Sequence, residues 1–341
     1  MSSVPSSKPH VPSFDEGWLA RNAEQPLSPR LAVVDSHFHM WDFSNPAYFG
    51  DSYRRDAQAA GIVKSVFVEC TMGYRASGPV EMRQVGEVEF AAEQARNWSL
   101  PQMAVASAIV GMVDMTLGGR IEPVLDEMNA AANGRFRGVR IRAAHDDDAT
   151  VGYGANGVPP GFLLQSSTQS ALKALQSAGY SLDVYTFHTQ LADVLAVAKA
   201  FPNLPIVVNH IGAPIGAGQY AGRRSEVFEE WRRSVAELAR CGNVLVKIGG
   251  FGIARINIIS AEGRDMPPGS DEIAERIRPW INVCLEAYGA SRCMFGSNFP
   301  VDKSAMGMTT LINAIRRATE GLSEAETSEL MAGAAERFYR I

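Results

Sequence analysis

Six histidines occur among 341 residues, and two of them, His37 and His39, stand in the stretch LAVVDSHFHMWD at residues 31–42. A short apolar run at 32–34 leads into them and reads as a strand. Strand side chains alternate faces, so His37 and His39 point the same way, about 6.6 Å apart along the chain. Imidazoles held like that on a rigid strand end can grip one metal ion or bracket one substrate carbonyl. Two polar residues in a loop after an edge strand would spell the same letters. The decision rests on what the rest of the chain sets beside them.

The rest repeats one pattern. Short β-branched runs at 64–70, 103–110, 136–141, 182–185, 206–208, 244–248 and 293–295 read as strands. Stretches of helical composition separate them, at 52–60, 85–97, 117–133, 168–178, 191–201, 225–240 and 271–288. Gly134, Gly179, Gly242 and Gly289 supply stop signals, and two more helices, 309–318 and 323–339, close the chain. Continuous apolar strands alternating with helices imply a parallel sheet buried on both faces. Eight such units predict an α/β fold of the closed (β/α)8 TIM barrel type over residues 31–341. An open, doubly wound sheet would show a glycine-rich dinucleotide fingerprint after the first strand, and none is there. Residues 1–30 divide into a Ser/Pro-rich tail, 1–12, and an arm that wraps the outside, with Trp18 and Leu19 as anchors.

In a barrel of this kind the active site lies at the C-terminal ends of the strands. Those ends collect His37, His39, Glu69, Arg140, Arg142, His188, His210, Lys247 and Asn298, with Asp302 close behind. Four of the six histidines fall there; His10 and His145 do not. Each residue also has a plain structural use. His188 could pack in a core, Lys247 could pair with Glu69, Glu69 could be a solvated strand terminus, and Asp302 could cap the next helix. Arg140 and Arg142 share a strand face and suit a substrate carboxylate, since a guanidinium fork matches two oxygens at once. Their plain use is a salt bridge to the run Asp146-Asp147-Asp148.

Lys+Arg 32 against Asp+Glu 37 leaves a net charge of -5, with no basic runs. Nucleic acid and anionic membranes are therefore poor partners, and a small-molecule substrate is expected. No apolar run reaches the roughly 18 residues of a membrane span. The four cysteines are scattered, with no C-x-x-C pair, which suits reduced thiols in a cytoplasmic protein. A homodimer is compatible with this architecture, although no segment marks an interface.

Seven stretches carry a family resemblance: VVDSHFHMWD (33–42), FRGVRIR (136–142), FHTQL (187–191), VVNHIGAP (207–214), VKIGGFG (246–252), CMFGSNFPVDK (293–303) and the terminal AERFYRI. In this order they resemble the amidohydrolase superfamily, in the metal-dependent-hydrolase branch that contains 2-pyrone-4,6-dicarboxylate lactonase, 4-sulfomuconolactonase and L-fuconolactonase. The resemblance implies a (β/α)8 barrel whose site is built from His37, His39, His210 and the eighth-strand residue. It implies hydrolysis of a lactone or similar cyclic ester. His37, His39 and His210 would hold one divalent ion, zinc first among candidates, whose bound water is the nucleophile. In a metal-independent version the same histidines polarise the carbonyl directly.

The chain departs from most of the superfamily at the eighth strand, where Asn298 replaces an Asp. An amide cannot act as a general base. Asp302 and His188 are the candidates to take the proton instead. Residues 250–270, with Arg255 and Met266, could form a lid. Two other functions fit the same scaffold. One is a decarboxylase or hydratase acting on an aromatic or dienoic acid, although such members tend to carry a Glu among the first-strand ligands, where this chain has Ser36 and Phe38. The other is a silent binding protein, for which Asn298 is the best argument.

Overall fold

A computed structural model describes residues 13–152 and 157–341. The tail expected over residues 1–12 lies outside the described residues. Eight parallel strands run in the order of the chain: β1 Val33–Phe38, β2 Ile62–Val68, β3 Ala104–Gly111, β4 Phe136–Arg142, β5 Ser181–Tyr185, β6 Ile206–Val208, β7 Val244–Ile248 and β8 Cys293–Phe295. Helices connect them on the outside, and the expected (β/α)8 barrel is what forms. The strands are buried almost throughout because the helices cover one face and the barrel interior the other. Each strand end therefore opens onto the same rim.

The last seam is closed in an unusual way. β8 has only three residues, so the chain beyond it pairs with β1 instead. Asn298 N donates to His37 O and His39 N donates to Phe299 O, both at 2.7 Å. Asp35, in the middle of β1 and fully buried, fastens this seam. Its carboxylate accepts from Ser297 N at 2.8 Å, Ser297 Oγ at 2.6 Å, Tyr53 Oη at 2.9 Å and His37 N at 3.1 Å. At the neighbouring seam Gly249 passes so close to β8 that a Cβ there would lie 1.8 Å from Gly296 O. Only glycine fits.

Two expected helices are broken, each for a local reason. The stretch at 117–133 starts as a 3-10 run, Met115–Ile121, turned by Gly118 at φ 59°. The α-helix Glu122–Ala131 begins only where Pro123 sits in its first turn, a position proline favours. The stretch at 323–339 is interrupted by a π-helical turn, Glu329–Gly333, before Ala334–Tyr339 resumes. That last piece packs Ala334, Ala335 and Tyr339 against Val34, Val66, Val207 and Met294 and stops the bottom of the barrel.

The arm carries a short helix, Glu16–Ala20, and ties down residues 250–270. Trp18 Nε1 donates to Arg264 O at 3.1 Å, Asn22 Nδ2 to Pro267 O at 3.0 Å, and Ser270 N to Glu24 Oε1 at 2.7 Å. Ile253, Ile256, Ile258 and Ile259, earlier in the same segment, are buried in the core. The segment expected to form a lid therefore has its isoleucines in the core and its far end bonded to the arm, while Met266 stays exposed.

Asp35→Asn turns one acceptor oxygen into a donor facing N–H and O–H groups. The expected loss is about 3 kcal/mol, read as a lower urea midpoint with an unchanged slope.

Candidate active site

The rim gathers its polar side chains from seven strands. β1 sends His37 and, one step past its end, His39; both are buried. Their Nε2 atoms stand 3.2 Å apart. His39 Nδ1 is 2.8 Å from Val68 O, a bond in which the ring must donate. Two residues past β6 stands His210, whose backbone is left-handed at φ 52°, as is that of Ile211. This turn swings the imidazole to a ring-centre distance of 4.5 Å from His37. The Trp231 indole holds the turn by donating to Ile211 O at 2.6 Å. Gly250 makes room, since a Cβ there would lie 2.4 Å from His210 Nδ1.

β4 delivers both arginines to Glu69, which sits just past β2. Arg140 Nε donates to Glu69 Oε1 at 2.7 Å and its Nη2 to Glu69 O at 2.5 Å. Arg142 grips both carboxylate oxygens at 3.1 Å. The expected alternative, pairing with the aspartate run, does not form. Asp146 instead accepts from Tyr220 Oη at 2.8 Å. Burial alone would raise the pKa of Glu69; the two guanidiniums outweigh it and hold the carboxyl below its ordinary range. Arg140 Nη1 then reaches within 3.3 Å of His37 Nε2.

Lys247 is a correction. The sequence sets it at the rim among the candidate substrate-binding residues or in a pair with Glu69, but it is fully buried against other acceptors. Its Nζ lies 2.6 Å from Asp183 Oδ2, 2.7 Å from Ser36 O and 3.2 Å from His37 Nδ1. Two of its hydrogens go to protein acceptors, Asp183 and Ser36, and the third side of the ammonium faces the His37 ring, so it is enclosed by protein on all three. Glu69 is likewise enclosed; it aims the arginines and meets no solvent.

Asn298 also stands in the left-handed region, at φ 57°, which Asn and Asp tolerate best among non-glycine residues. Its Nδ2 donates to Asp302 Oδ1 at 2.8 Å. The amides of Gly250, Phe251 and Gly252 face the same carboxyl, while Oδ2 is buried and makes no bond of standard geometry. Burial pushes the Asp302 carboxyl up to about 7 against these donors. His188 has turned away from the cluster. Its Nδ1 accepts from Ile215 N at 3.4 Å and its ring meets Tyr220 edge-on at 5.6 Å. Burial lowers it to about 4. His37, His39 and His210 are all lowered well below the ordinary imidazole value, first by burial, then by Lys247 or Arg140. They are neutral at neutral pH.

The amidohydrolase family model matches residues 34–341. The chain belongs to the amidohydrolase family. An uncharacterized protein, y4mH of Sinorhizobium fredii, is 28% identical, over 91% of this chain and 99% of its own. An L-fucono-1,5-lactonase of Burkholderia multivorans is 26% identical, over 90% of this chain and 96% of its own. A solved amidohydrolase from Burkholderia multivorans with bound HEPES superposes at a TM-score of 0.69 with 25% identity, over 91% and 99% of the two chains. A crystal form of an amidohydrolase from that organism holds zinc, at 24% identity and the same TM-score and coverage.

Whether this amidohydrolase could hold such an ion through His37, His39 and His210 is decided by what surrounds them. Both ring nitrogens of His37 lie within 3.3 Å of a cationic side chain, Lys247 on one side and Arg140 on the other. A divalent ion on His37 would meet those charges at close range. Among the described residues no three His, Cys, Asp or Glu side chains, the clustered imidazoles included, are so arranged that they could hold a metal ion. The donor set as arranged does not fit a three-histidine metal centre.

The residues missed from sequence are Asp35, Asp183 and Tyr339, whose hydroxyl donates to Asp183 at 2.8 Å. A lone carboxylate inside an apolar strand was the available signal for the first two. Glu87 was missed as well. It accepts from Cys70 N at 2.7 Å and Met72 N at 2.8 Å and so shapes the turn that follows Glu69.

Asp302 makes stability depend on pH. Its folded value of about 7 lies above the ordinary 3.8, so folding favours the protonated form. That contribution is complete below about pH 4 and is lost as pH rises through 7. Urea midpoints of wild type should fall from pH 5 to 8 more steeply than those of Asp302→Asn.

Proposed function

We propose that this amidohydrolase opens a lactone or similar cyclic ester of a small carboxylated substrate by direct polarisation of the carbonyl. The observation that carries the reading is the buried meeting of Arg140 Nη1 with the His37 imidazole, 3.3 Å apart, beside His39 and His210. Charge that develops on a carbonyl oxygen during attack by water is stabilised by preorganised donors in a dry site. Arg140 is such a donor, fixed by two bonds to Glu69. Asp302 takes the proton from the attacking water, and Asn298 orients it. A carboxyl titrating near 7 is matched to that task, whereas His188 faces Tyr220 and is lowered to about 4. As the acyl–oxygen bond breaks, the proton held by Asp302 passes to the leaving ring oxygen, and the product is the open hydroxy acid.

Arg142 keeps a third of its side chain exposed, at 33%, and grips Glu69 from the rim. We assign it the substrate carboxylate. The lactonase name among the relatives supports the reaction class. The four cysteines are unpaired, which supports work in a reducing compartment, the cytoplasm.

A panel of lactones, followed by ring-opened acid, tests the reaction; release of carbon dioxide instead would favour a decarboxylase. Activity should survive chelation and gel filtration. Arg140→Met should lower kcat about 100- to 1,000-fold, while Arg142→Met should chiefly raise KM for carboxylated lactones. The rise of kcat/KM with pH through about 7 should vanish in Asp302→Asn. Turnover undiminished in His37→Ala would overturn the reading.

A further inference from the structure

We infer that the buried ion pair Asp183–Lys247 sets the tautomer of His37, making its Nε2 a fixed hydrogen-bond donor aimed at the substrate oxygen. The inference rests on the proposed carbonyl chemistry for its purpose, but not for its structural content.

Lys247 has one arrangement of its hydrogens that satisfies every neighbour. Asp183 Oδ2 at 2.6 Å and Ser36 O at 2.7 Å can only accept. Asp183 is fully buried in β5, with Tyr339 Oη and Asn209 Nδ2 as its other donors. Both of those are neutral, so Lys247 is the cation that balances the carboxylate, and a buried carboxylate without one is strongly disfavoured. An ammonium with two hydrogens placed has one left, and it meets His37 Nδ1 at 3.2 Å. Nδ1 must then accept. A neutral imidazole that accepts at Nδ1 carries its proton on Nε2.

The partner ring agrees. His39 Nδ1 donates to Val68 O at 2.8 Å, so His39 Nε2 is an acceptor. It lies 3.2 Å from His37 Nε2, and a proton on His37 Nε2 completes that contact. The hydrogen bonds run one way, from Lys247 through His37 and His39 to the backbone of β2. One neighbour pulls against this order: Arg140 Nη1 is also a donor and lies 3.3 Å from His37 Nε2. Two donors side by side do not bond each other. Both can donate to one oxygen placed between them, which is the arrangement an oxyanion requires. When a substrate carbonyl takes the His37 proton as its partner, the His39 Nε2 lone pair is released to the cavity. Asp183 and Lys247 are positioning residues here; neither touches the substrate. Tyr339, at the opposite end of the barrel, holds the carboxylate of the pair.

Imidazole tautomers are read directly from two-bond proton–nitrogen correlations in protein labelled with nitrogen-15 histidine, with His37 assigned by loss of its signals in His37→Gln. The wild-type full chain is expected to show His37 protonated at Nε2 and His39 at Nδ1. Lys247→Met should move the His37 proton to Nδ1 and lower kcat by about 100-fold or more, since a wrong tautomer disables a positioned histidine. KM should change less than about threefold, because no substrate contact is lost. Lys247→Arg, which keeps a cationic donor, should restore the Nε2 proton. A wild-type His37 protonated at Nδ1 overturns the inference, and this measurement needs no variant to fold. A folded Lys247→Met with its His37 tautomer unchanged also overturns it. Correct tautomers in a protein that hydrolyses no lactone would sink the proposed function and leave this assignment standing.

Discussion

The clasp between Asp35 and Ser297 is the contact on which the architecture depends. β8 is too short to close the barrel by strand pairing alone, so the seam is made by the irregular chain beyond it. Four donors converge on one buried carboxylate there. Because Asp35 lies two residues before His37 and Ser297 one before Asn298, the same clasp sets the two ends of the site against each other. A carboxylate with four donors is directional where apolar packing is not, and a site needs direction.

The interior is then a matter of pairing charge. Glu69 takes Arg140 and Arg142, and Asp183 takes Lys247. Replacing such pairs by packed apolar residues often leaves a protein as stable or more so, so stability alone does not explain them. Their placement does. Each anion is enclosed, and Arg140 and Lys247 each bring a donor to His37. The result is a cluster of neutral imidazoles in a positive field, suited to an oxygen that gains negative charge.

Much of this was legible in the sequence. The eight strands, their order and the rim residues follow from β-branched runs, glycine stops and the rule that chemistry sits at C-terminal strand ends. His37, His39, His210, Arg140 and Asn298 were readable because histidine, arginine and asparagine have few structural uses at those places. Pairings were not. Nothing local told Lys247 to choose Asp183 over Glu69, since both are carboxylates within β-branched runs of the sequence and the choice depends on which faces the same side of a closed cylinder. The tethering of residues 264–270 was hidden for a like reason: the arm that bonds to them comes from the other end of the chain. His188 was misjudged because a three-residue 3-10 turn, His188–Gln190, rotates it toward Tyr220.

The clasp joins residues 262 apart in sequence. Contacts between such distant segments form late and slowly, because a long loop must close before they contribute. Until the eighth unit leaves the ribosome, β1 has no partner on its outer edge, and a parallel strand with bare amides and carbonyls invites other chains. Biosynthesis of this barrel therefore includes an interval of vulnerability that ends only when Ser297 reaches Asp35.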